Sequence, residues 1–342
     1  MFLHKGNTFL FIASSIGRLI QSPDLVNPPK STIASGALKA MKSANCWPRI
    51  VPVKSKISTS PSNGYANASH TTIALKGKPL NFNVGLQRWY VRELTKLVDD
   101  LTKEVYNEIK PLYEEYKEQI TFDASISSQA RIKINSLRDI FEKKFKDKGK
   151  TFAERMVRKT NRYSNTTFWR MMNEMLKGEE EIKKAGGFLL KGSIITPEKE
   201  EVMKALIYEN TSLITNLQTR YFEQITGAIM RSIQAGKGLT SIEEELLKYR
   251  GMTKRRAKNI AQDQTRKAYN SINLRNMQEA GIKKFEWVHS GGSQKPRPYH
   301  KNVLNGQIFD LDKGAPSEDG KRYIYPGEEP YCHCRMAAVV EF

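Results

Sequence analysis

The sequence predicts a mainly α protein with a small α+β C-terminal module, in which long amphipathic helices are followed by a short-stranded, loop-rich end. Apolar residues recur every three or four positions through most of residues 88–280, which is the period of an amphipathic helix. After Gly281 this period is lost, and short apolar segments alternate with Gly- and Pro-rich stretches. The chain of 342 residues is long enough for two domains of ordinary size.

Residues 1–80 have the composition of a disordered tail. They contain ten Lys or Arg and a single acid, Asp24, and they are rich in Ser, Asn, Pro and Gly. Such a segment buries too little apolar surface to offset the entropy of the chain. The apolar stretch Phe9–Ile16, followed by Arg18, is similar to the core of a signal or transit leader. We expect a disordered tail, or a mis-assigned start with initiation near Met41 or later, rather than a targeting signal.

Folded structure is predicted to begin near Asn81, with a helical body over residues 81–281 and the module over residues 282–342. No apolar run reaches the length of about 18 residues that a transmembrane helix needs. We therefore expect no membrane-spanning segment and no membrane partner.

The first part of the helical body reads as two long helices. The segment from Arg88 to Lys117 is clearly amphipathic, and Pro111 is expected to kink or end it. Residues 129–184 repeat the pattern less cleanly, with Lys and Arg on the other faces. The pair Gly186-Gly187 is predicted to break this second run.

The second part of the body contains stronger start and stop signals. Pro197 is expected in the first turn of a helix that stops at Gly236. Thr240 has capping-box spacing and predicts the start of another helix, which Gly251 is expected to end. Thr253 is then expected to cap a last helix before the module begins.

The C-terminal module is predicted to contain a small sheet with long loops. Phe285–Val288 weakly suggests one strand, and Ile308–Phe309 and Ala337–Val340 suggest two more. Strands after a run of helices are typical of an α+β arrangement.

Ligands that zinc prefers are concentrated in this module. Three of the five histidines and two of the three cysteines lie there. A structural zinc site could use His289, His300, Cys332 and Cys334, with His333 as the alternate fourth ligand. The alternative is that His300 hydrogen-bonds within its turn and both cysteines are small buried apolar residues. The Cys-x-Cys spacing is tighter than the usual zinc-binding pair and does not decide between them.

The net charge of +20 favours polyanionic partners such as nucleic acid. Two basic clusters are candidates for non-specific phosphate contact, and a solvated helix face is the alternative for each. The candidate residues are Lys143, Lys144, Lys146, Lys254, Arg255, Arg256 and Lys258.

Several motifs together resemble the phage Mu F-like head morphogenesis family, whose members are also called minor capsid or minor head proteins. The resemblance spans residues 81–342, loosely over Asn81–Val105 and more specifically at Asn210–Ile214 and Arg256–Thr265. The terminal signature residues are Trp287, Arg297, His300, Gly306, Phe309, Pro326, Gly327, Cys332, Cys334 and Arg335. This chain departs from the family pattern at Ser293, at Tyr331, where many members have Asn, and at His333.

The resemblance implies a structural role in phage or prophage head morphogenesis, at the portal vertex. It implies portal, capsid or scaffold proteins as partners, with double-stranded DNA as a further candidate, and a location in the virion or the host cytoplasm. No enzymatic activity is implied. The alternative is a metal-dependent nuclease with His300 as general base, or a toxin-like enzyme. Arg297 and Arg335 could bind a carboxylate or phosphate, or pair internally with Glu328 or Glu329.

Overall fold

A computed structural model describes residues 74–116, 126–177, 195–292 and 295–341, which all belong to one compact unit. The predicted class is confirmed: long helices form most of the molecule, and short antiparallel strands lie at the C-terminal end. The α-helices within these ranges are α1 (Val84–Tyr116), α2 (Ile126–Met175), α3 (Pro197–Gln234) and α4 (Leu239–Glu279). The strands are β1 (Ala74–Lys76), β2 (Lys284–Val288), β3 (Ile308–Asp310), β4 (Ala315–Pro316), β5 (Tyr323–Ile324) and β6 (Arg335–Glu341).

The predicted first helix is confirmed, but Pro111 does not end it. Helix α1 continues through Pro111 to Tyr116. Ile109 and Leu112, on either side of the proline, are both buried in the core, so packing compensates for the lost backbone hydrogen bond. Helix α2 confirms the second predicted run, and the predicted break at Gly186-Gly187 lies outside the described residues.

The start of α3 forms as predicted. Pro197 occupies the first turn, and the side chain of Thr196 accepts a hydrogen bond from the Lys199 backbone N–H at 3.2 Å. The buried Nζ of Lys199 lies 2.5 Å from Oε2 of Glu279 at the far end of α4. This ion pair fixes the beginning of α3 against the end of α4.

The predicted helix end at Gly251 is wrong, because α4 runs unbroken from Leu239 to Glu279. Thr240 and Thr253 are therefore not caps. The residue before the helix is Gly238, which makes no side-chain cap bond, and Thr253 is buried inside the helix.

A contact with α1 explains why the helix continues through Gly251. Arg250 Nε and Lys254 Nζ, one on each side of this glycine, lie 2.6 and 2.9 Å from the carboxylate of Asp99. A glycine inside a helix costs only about 1 kcal/mol. Tertiary contacts on both sides of the glycine outweigh that cost.

The main core lies between the four helices. Its largest fully buried side chains are aromatic and come from α1, α2 and α3: Tyr90, Phe141, Phe145, Tyr221 and Phe222. Within the described ranges, no helix is both long enough and apolar enough to cross a membrane.

The C-terminal sheet has four antiparallel strands in the order β1-β6-β2-β3, and β4 and β5 form a separate pair. All three predicted strand segments are present. Strand β1 lies before the predicted start of structure at Asn81, because Ala74 and Leu75 are buried and pair with the edge of β6. Residues 1–73, the rest of the predicted tail, lie outside the described residues.

A second apolar cluster supports this sheet. Phe168, Met172 and Met175 from the last turns of α2 contact the cluster around Phe285 and Trp287 of β2. The end of α2 therefore packs under the C-terminal module and holds it against the helices.

Candidate metal centre

Three chain segments meet beneath the sheet and bring His and Cys side chains together. His289 directly follows β2, and His300 lies in a π-helical turn, Tyr299–Leu304. Cys332 and Cys334 lie in the loop that leads into β6. The short strands and the turn thus place residues distant in sequence at one point.

The ligand atoms of His300, Cys332 and Cys334 lie within 4.8 Å of one another, and all three residues are buried. Nδ1 of His300 is 3.6 Å from Cys332 Sγ and 3.9 Å from Cys334 Sγ. Nδ1 of the half-buried His289 is 3.7 Å from Cys334 Sγ. All four residues predicted as ligands are therefore neighbours.

The other ring nitrogen of His300 faces a carboxylate. Its Nε2 lies 3.1 Å from Oε2 of Glu329, which also lies 3.4 Å from Arg297 Nε. Arg322 Nη2 contacts the other oxygen of Glu329 at 2.9 Å. The edge of the Trp287 ring packs on His300 with ring centres 5.0 Å apart. These contacts fix the imidazole so that Nδ1 points at the two sulfurs.

The pKa values of the two thiols are shifted in opposite directions. A hydrogen bond from the Cys334 thiol lowers the pKa of Cys332, against the opposing effect of burial, and the N–H of Gly327 lowers it further. The pKa of Cys334 is raised, because its proton is held by that hydrogen bond to Cys332 and because it is buried. The arrangement therefore favours a thiolate at Cys332 over one at Cys334.

His333, the alternate ligand, is not part of this group. It is half-buried on the other side of the loop, beside Gly292. Burial and the charge of Arg266 lower the pKa of its imidazole. Alternation along the extended loop explains this position, because side chains two residues apart point the same way and the one between them does not.

Two signature glycines are required by the backbone of the site. Gly327 has φ +80°, and its N–H points at Cys332 Sγ at 3.4 Å. A Cβ at this position would overlap the side-chain amide of Asn270, whose Nδ2 donates to the Cys334 carbonyl at 3.2 Å. Gly306 has φ +82° and donates to the carbonyl of Trp287 at 2.7 Å. Only glycine adopts these conformations without strain.

The two signature arginines have internal partners. Besides Glu329, Arg297 contacts the carbonyl of Pro330 at 2.9 Å through Nη2. Arg335 contacts the side-chain oxygen of Asn81, just before α1. The predicted internal pairing is therefore found for Arg297 with Glu329, whereas Arg335 contacts Asn81 and neither Glu328 nor Glu329.

Sequence reasoning missed the roles of Glu329, Arg322 and Asn270. Glu329 was considered only as a partner of arginine, although its position three residues before Cys332 was a usable signal. Asn270 had no such signal, because it lies on α4 and reaches the loop only through the tertiary fold.

Tyr331, one of the positions at which the chain departs from the family pattern, has an unusual backbone conformation. Tyr331 has φ +59° and is the one described residue other than glycine with a positive φ. Its backbone N–H donates to Asp263 Oδ1 at 2.5 Å. Asn, which many family members have here, adopts this conformation more readily than Tyr does.

The Asn210–Ile214 motif lies in the helical body, away from the metal ligands. Asn210 is fully buried, accepts a hydrogen bond from Tyr90 at 2.9 Å and donates to Gln264 at 3.0 Å. It therefore links α1, α3 and α4 through a buried polar network.

The predicted basic residues lie on two different helices. Lys143, Lys144 and Lys146 are on α2, where Lys144 lies over the Phe141 ring. On α4, Lys254 is bound to Asp99, and Arg256 donates to Asn216 at 3.0 Å.

The remaining two residues of the α4 cluster, Arg255 and Lys258, are exposed. This cluster is thus partly used for internal contacts.

Comparison with known proteins agrees with the motifs. Residues 223–337 match the family described as Phage Mu protein F like protein, a range that includes all of α4 and all four candidate ligands. A Haemophilus influenzae (strain Rd) protein, described only as uncharacterized, is 24% identical over 268 residues. The aligned residues cover 78% of this chain and 56% of the Haemophilus protein, so the chain spans about half the length of that relative. No solved structure matches the chain. The resemblance predicted from the sequence is therefore confirmed over residues 223–337, where the chain is similar to phage Mu F-like proteins.

Proposed function

We propose that the chain is a phage head morphogenesis protein that acts by binding rather than by catalysis, and that one face of α2 binds double-stranded DNA without sequence preference. The family match supports the connection with the phage head. The main support for the DNA contact is a row of exposed basic side chains along α2 that have no acidic partner among the described residues.

This row, the α2 basic face, consists of Arg155, Lys159, Arg162 and Arg170 on α2 and Lys177 in the turn directly after it. The spacing of the four helical residues places them on one side of α2. From Arg155 to Arg170 the row is about 22 Å long at the rise of an α-helix. Each side chain is exposed, and none forms an ion pair with a carboxylate of the described residues. Arg155 and Lys159 also lie over the Trp89 ring, 4.6 and 5.9 Å from its centroid, so that ring orders two of the cations without neutralising their charge.

A groove lies along the end of this face. It has a volume of about 590 Å³, and Arg162, Arg170, Lys177 and the half-buried Trp169 line it. Asn165, which also lines the groove, is buried, and its amide makes no hydrogen bond within the described part of the chain. A phosphate oxygen in the groove would give that amide an acceptor, and the adjacent guanidinium groups would add charge-assisted hydrogen bonds.

The α2 basic face is a better candidate than the predicted cluster on α4. Lys254 of that cluster is already paired with Asp99, and Arg256 is partly buried. A phosphate contact by Lys254 would break its ion pair with α1, whereas the side chains of the α2 basic face have no ion pair with a described carboxylate to break.

Salt dependence tests the DNA contact. Binding of the full chain to a random-sequence duplex is measured by fluorescence anisotropy between low and moderate salt. If all five cations contact phosphate, the slope of log K against log[salt] is about −4 to −5. The triple variant Arg155→Gln, Arg162→Gln, Arg170→Gln is expected to lower the magnitude of this slope by about 3.

A control with the same charge change separates this face from general attraction. Arg92→Gln, Lys204→Gln and Lys248→Gln also remove three positive charges, but each of these side chains already has a carboxylate partner. The control is expected to keep most of the wild-type slope. An equal loss in both triple variants would show that net charge, and not the α2 basic face, is responsible.

The second proposed partner is the portal, capsid or scaffold protein of the phage head. The family resemblance supports this partner. Co-sedimentation of the purified chain with procapsids, with and without portal, is the test. Binding only to particles that contain portal is expected, and no sedimentation with either particle would contradict the assignment.

The site geometry gives the nuclease alternative little support. A general base must reach a water molecule or a substrate proton. His300 is 3% exposed, and its ring nitrogens face Glu329 and the two sulfurs. A plasmid-nicking assay with His300→Ala as control tests this reading, and metal-dependent cleavage lost in the variant would refute a purely binding role.

A further inference from the structure

We propose that the C-terminal module is held together by one structural zinc ion with a complete Cys2His2 ligand set: Cys332, Cys334, His300 and His289. This inference is independent of the proposed DNA and portal contacts. It rests on the distances between the ligand atoms, on the direction of the imidazole lone pair and on the charge of the site.

The distances agree with tetrahedral coordination. At normal zinc–sulfur and zinc–nitrogen bond lengths, a tetrahedral site places a sulfur and a nitrogen ligand about 3.6 Å apart. The three measured sulfur–nitrogen distances are 3.6, 3.7 and 3.9 Å. Nδ1 of His289 is already this close to Cys334 Sγ, and a movement of its side chain toward His300 and Cys332 would complete the set.

The hydrogen bonding of His300 directs a lone pair at the ion position. Nε2 lies 3.1 Å from the Glu329 carboxylate, so Nε2 carries the proton and Nδ1 is the acceptor. Zinc-binding histidines usually donate their second nitrogen to a carboxylate in this way. The Nδ1 lone pair, 3.6 and 3.9 Å from the two sulfurs, is then placed to bind a cation that both sulfurs also bind.

The charge of the site also fits zinc. Two thiolates and two neutral imidazoles balance the charge of Zn²⁺, so the occupied centre is neutral and can be buried at little cost. The Gly327 N–H, 3.4 Å from Cys332 Sγ, provides a hydrogen bond to one thiolate.

Zinc would add a cross-link between three segments that otherwise meet through the β2–β6 pairing and a few hydrogen bonds. The ligands come from the end of β2, the π-helical turn and the loop before β6, and β3 to β5 have only two or three residues each. A closed four-ligand site supplies the cross-link that such short strands lack.

Metal analysis of the full chain tests the proposal. Protein purified without chelator is expected to contain about one zinc per chain. Replacement by Co²⁺ is expected to produce the intense visible absorption of a tetrahedral site together with thiolate-to-cobalt charge transfer. A folded wild-type protein that contains no zinc and gives no such Co²⁺ spectrum would overturn the proposal.

Substitutions identify the ligands. Cys332→Ser and His289→Ala are each expected to lower zinc affinity by at least an order of magnitude in competition with a chromogenic chelator. The matched control is His333→Ala, which changes a histidine between the two cysteines without removing a ligand, and it should bind zinc like the wild type. Unchanged affinity in His289→Ala would overturn the four-residue set.

Glu329→Gln keeps the test decisive if a ligand variant fails to fold. It keeps all four ligands and replaces only the carboxylate that orients His300. Its zinc affinity is expected to fall by about 10- to 100-fold. If Glu329→Gln and His333→Ala both bind zinc as tightly as the wild type, the proposed orientation of His300 is wrong.

Discussion

Replacing Gly327 by alanine should destabilise the protein through two separate effects. The first is conformational, because Gly327 has φ +80° and an L-residue in that region costs about 1–2 kcal/mol. The second is steric: the new Cβ would overlap Nδ2 of Asn270 and lie 3.1 Å from its Cγ. Asn270 must then rotate and give up its hydrogen bond to the Cys334 carbonyl, which is worth about 0.5–1.5 kcal/mol.

The expected loss in the free energy of unfolding is therefore about 2–3 kcal/mol, which is large for a single substitution. Gly320→Ala is the matched control, because Gly320 has φ +67° and a Cβ there meets nothing within 4 Å. It should show only the conformational cost of about 1–2 kcal/mol. Urea unfolding followed by circular dichroism, with the slope compared between variants, measures both differences.

A double-mutant cycle isolates the steric part. In an Asn270→Ala background the overlap is absent, so Gly327→Ala should cost no more than Gly320→Ala does in the wild type. An equal cost of Gly327→Ala in both backgrounds would refute the contact with Asn270. No cost in either background would refute the left-handed conformation of Gly327.

Two further substitutions test local energetics. Tyr331→Asn should stabilise the protein by about 0.5–1 kcal/mol, because Tyr331 is exposed and has φ +59°. Thermal unfolding measures the gain. The control is Tyr323→Asn at an exposed strand residue, which should give no increase in stability. Asp99→Asn should destabilise the protein at neutral pH and much less in acid. Burial alone would raise the pKa of Asp99, but hydrogen bonds and charges from Lys254 and Arg250 hold it below its ordinary value of 3.8. The stabilisation by Asp99 is therefore present above pH 3.8 and is lost as the pH falls through the lowered pKa. If the free energies of unfolding of the wild type and Asp99→Asn differ by the same amount at neutral and acid pH, this explanation is contradicted.

The fold could be predicted where local signals and tertiary contacts agree. The amphipathic period gave α1 and α2, and the proline in the first turn gave the start of α3 at Thr196 and Pro197. The prediction failed at Gly251, where the local signal for a helix end is real but weak. Asp99 of α1 binds Arg250 and Lys254 on both sides of that glycine, and the spacing of these residues in the sequence, more than 150 positions apart, gives no indication of the contact.

Prediction of the candidate site from the sequence was limited in the same way, because contacts made only by the tertiary fold could not be foreseen. The residue types and their order predicted the candidate ligands His300, Cys332 and Cys334, because sulfur and imidazole were concentrated in one short part of the chain. The sequence could not choose between His289 and His333. That choice depends on which side of the loop faces the π-helical turn, and this is set by β2 pairing with β6. The contribution of Asn270 from α4 is likewise a product of tertiary packing.

Helix α2 carries the proposed DNA contact on one side and packs against the module with the proposed zinc site on the other, but neither proposal depends on the other. Its last turns present Phe168 and Met175 to the sheet, whereas Arg162 and Arg170 lie on the opposite side of the same helix. Because both features lie on one continuous helix, the module and the α2 basic face keep a fixed relative position. Because zinc would bind beneath the sheet and DNA on the far face of α2, removal of the DNA-binding charges should leave the zinc content unchanged. A triple α2 variant that loses zinc together with DNA affinity would show instead that the two faces stabilise each other.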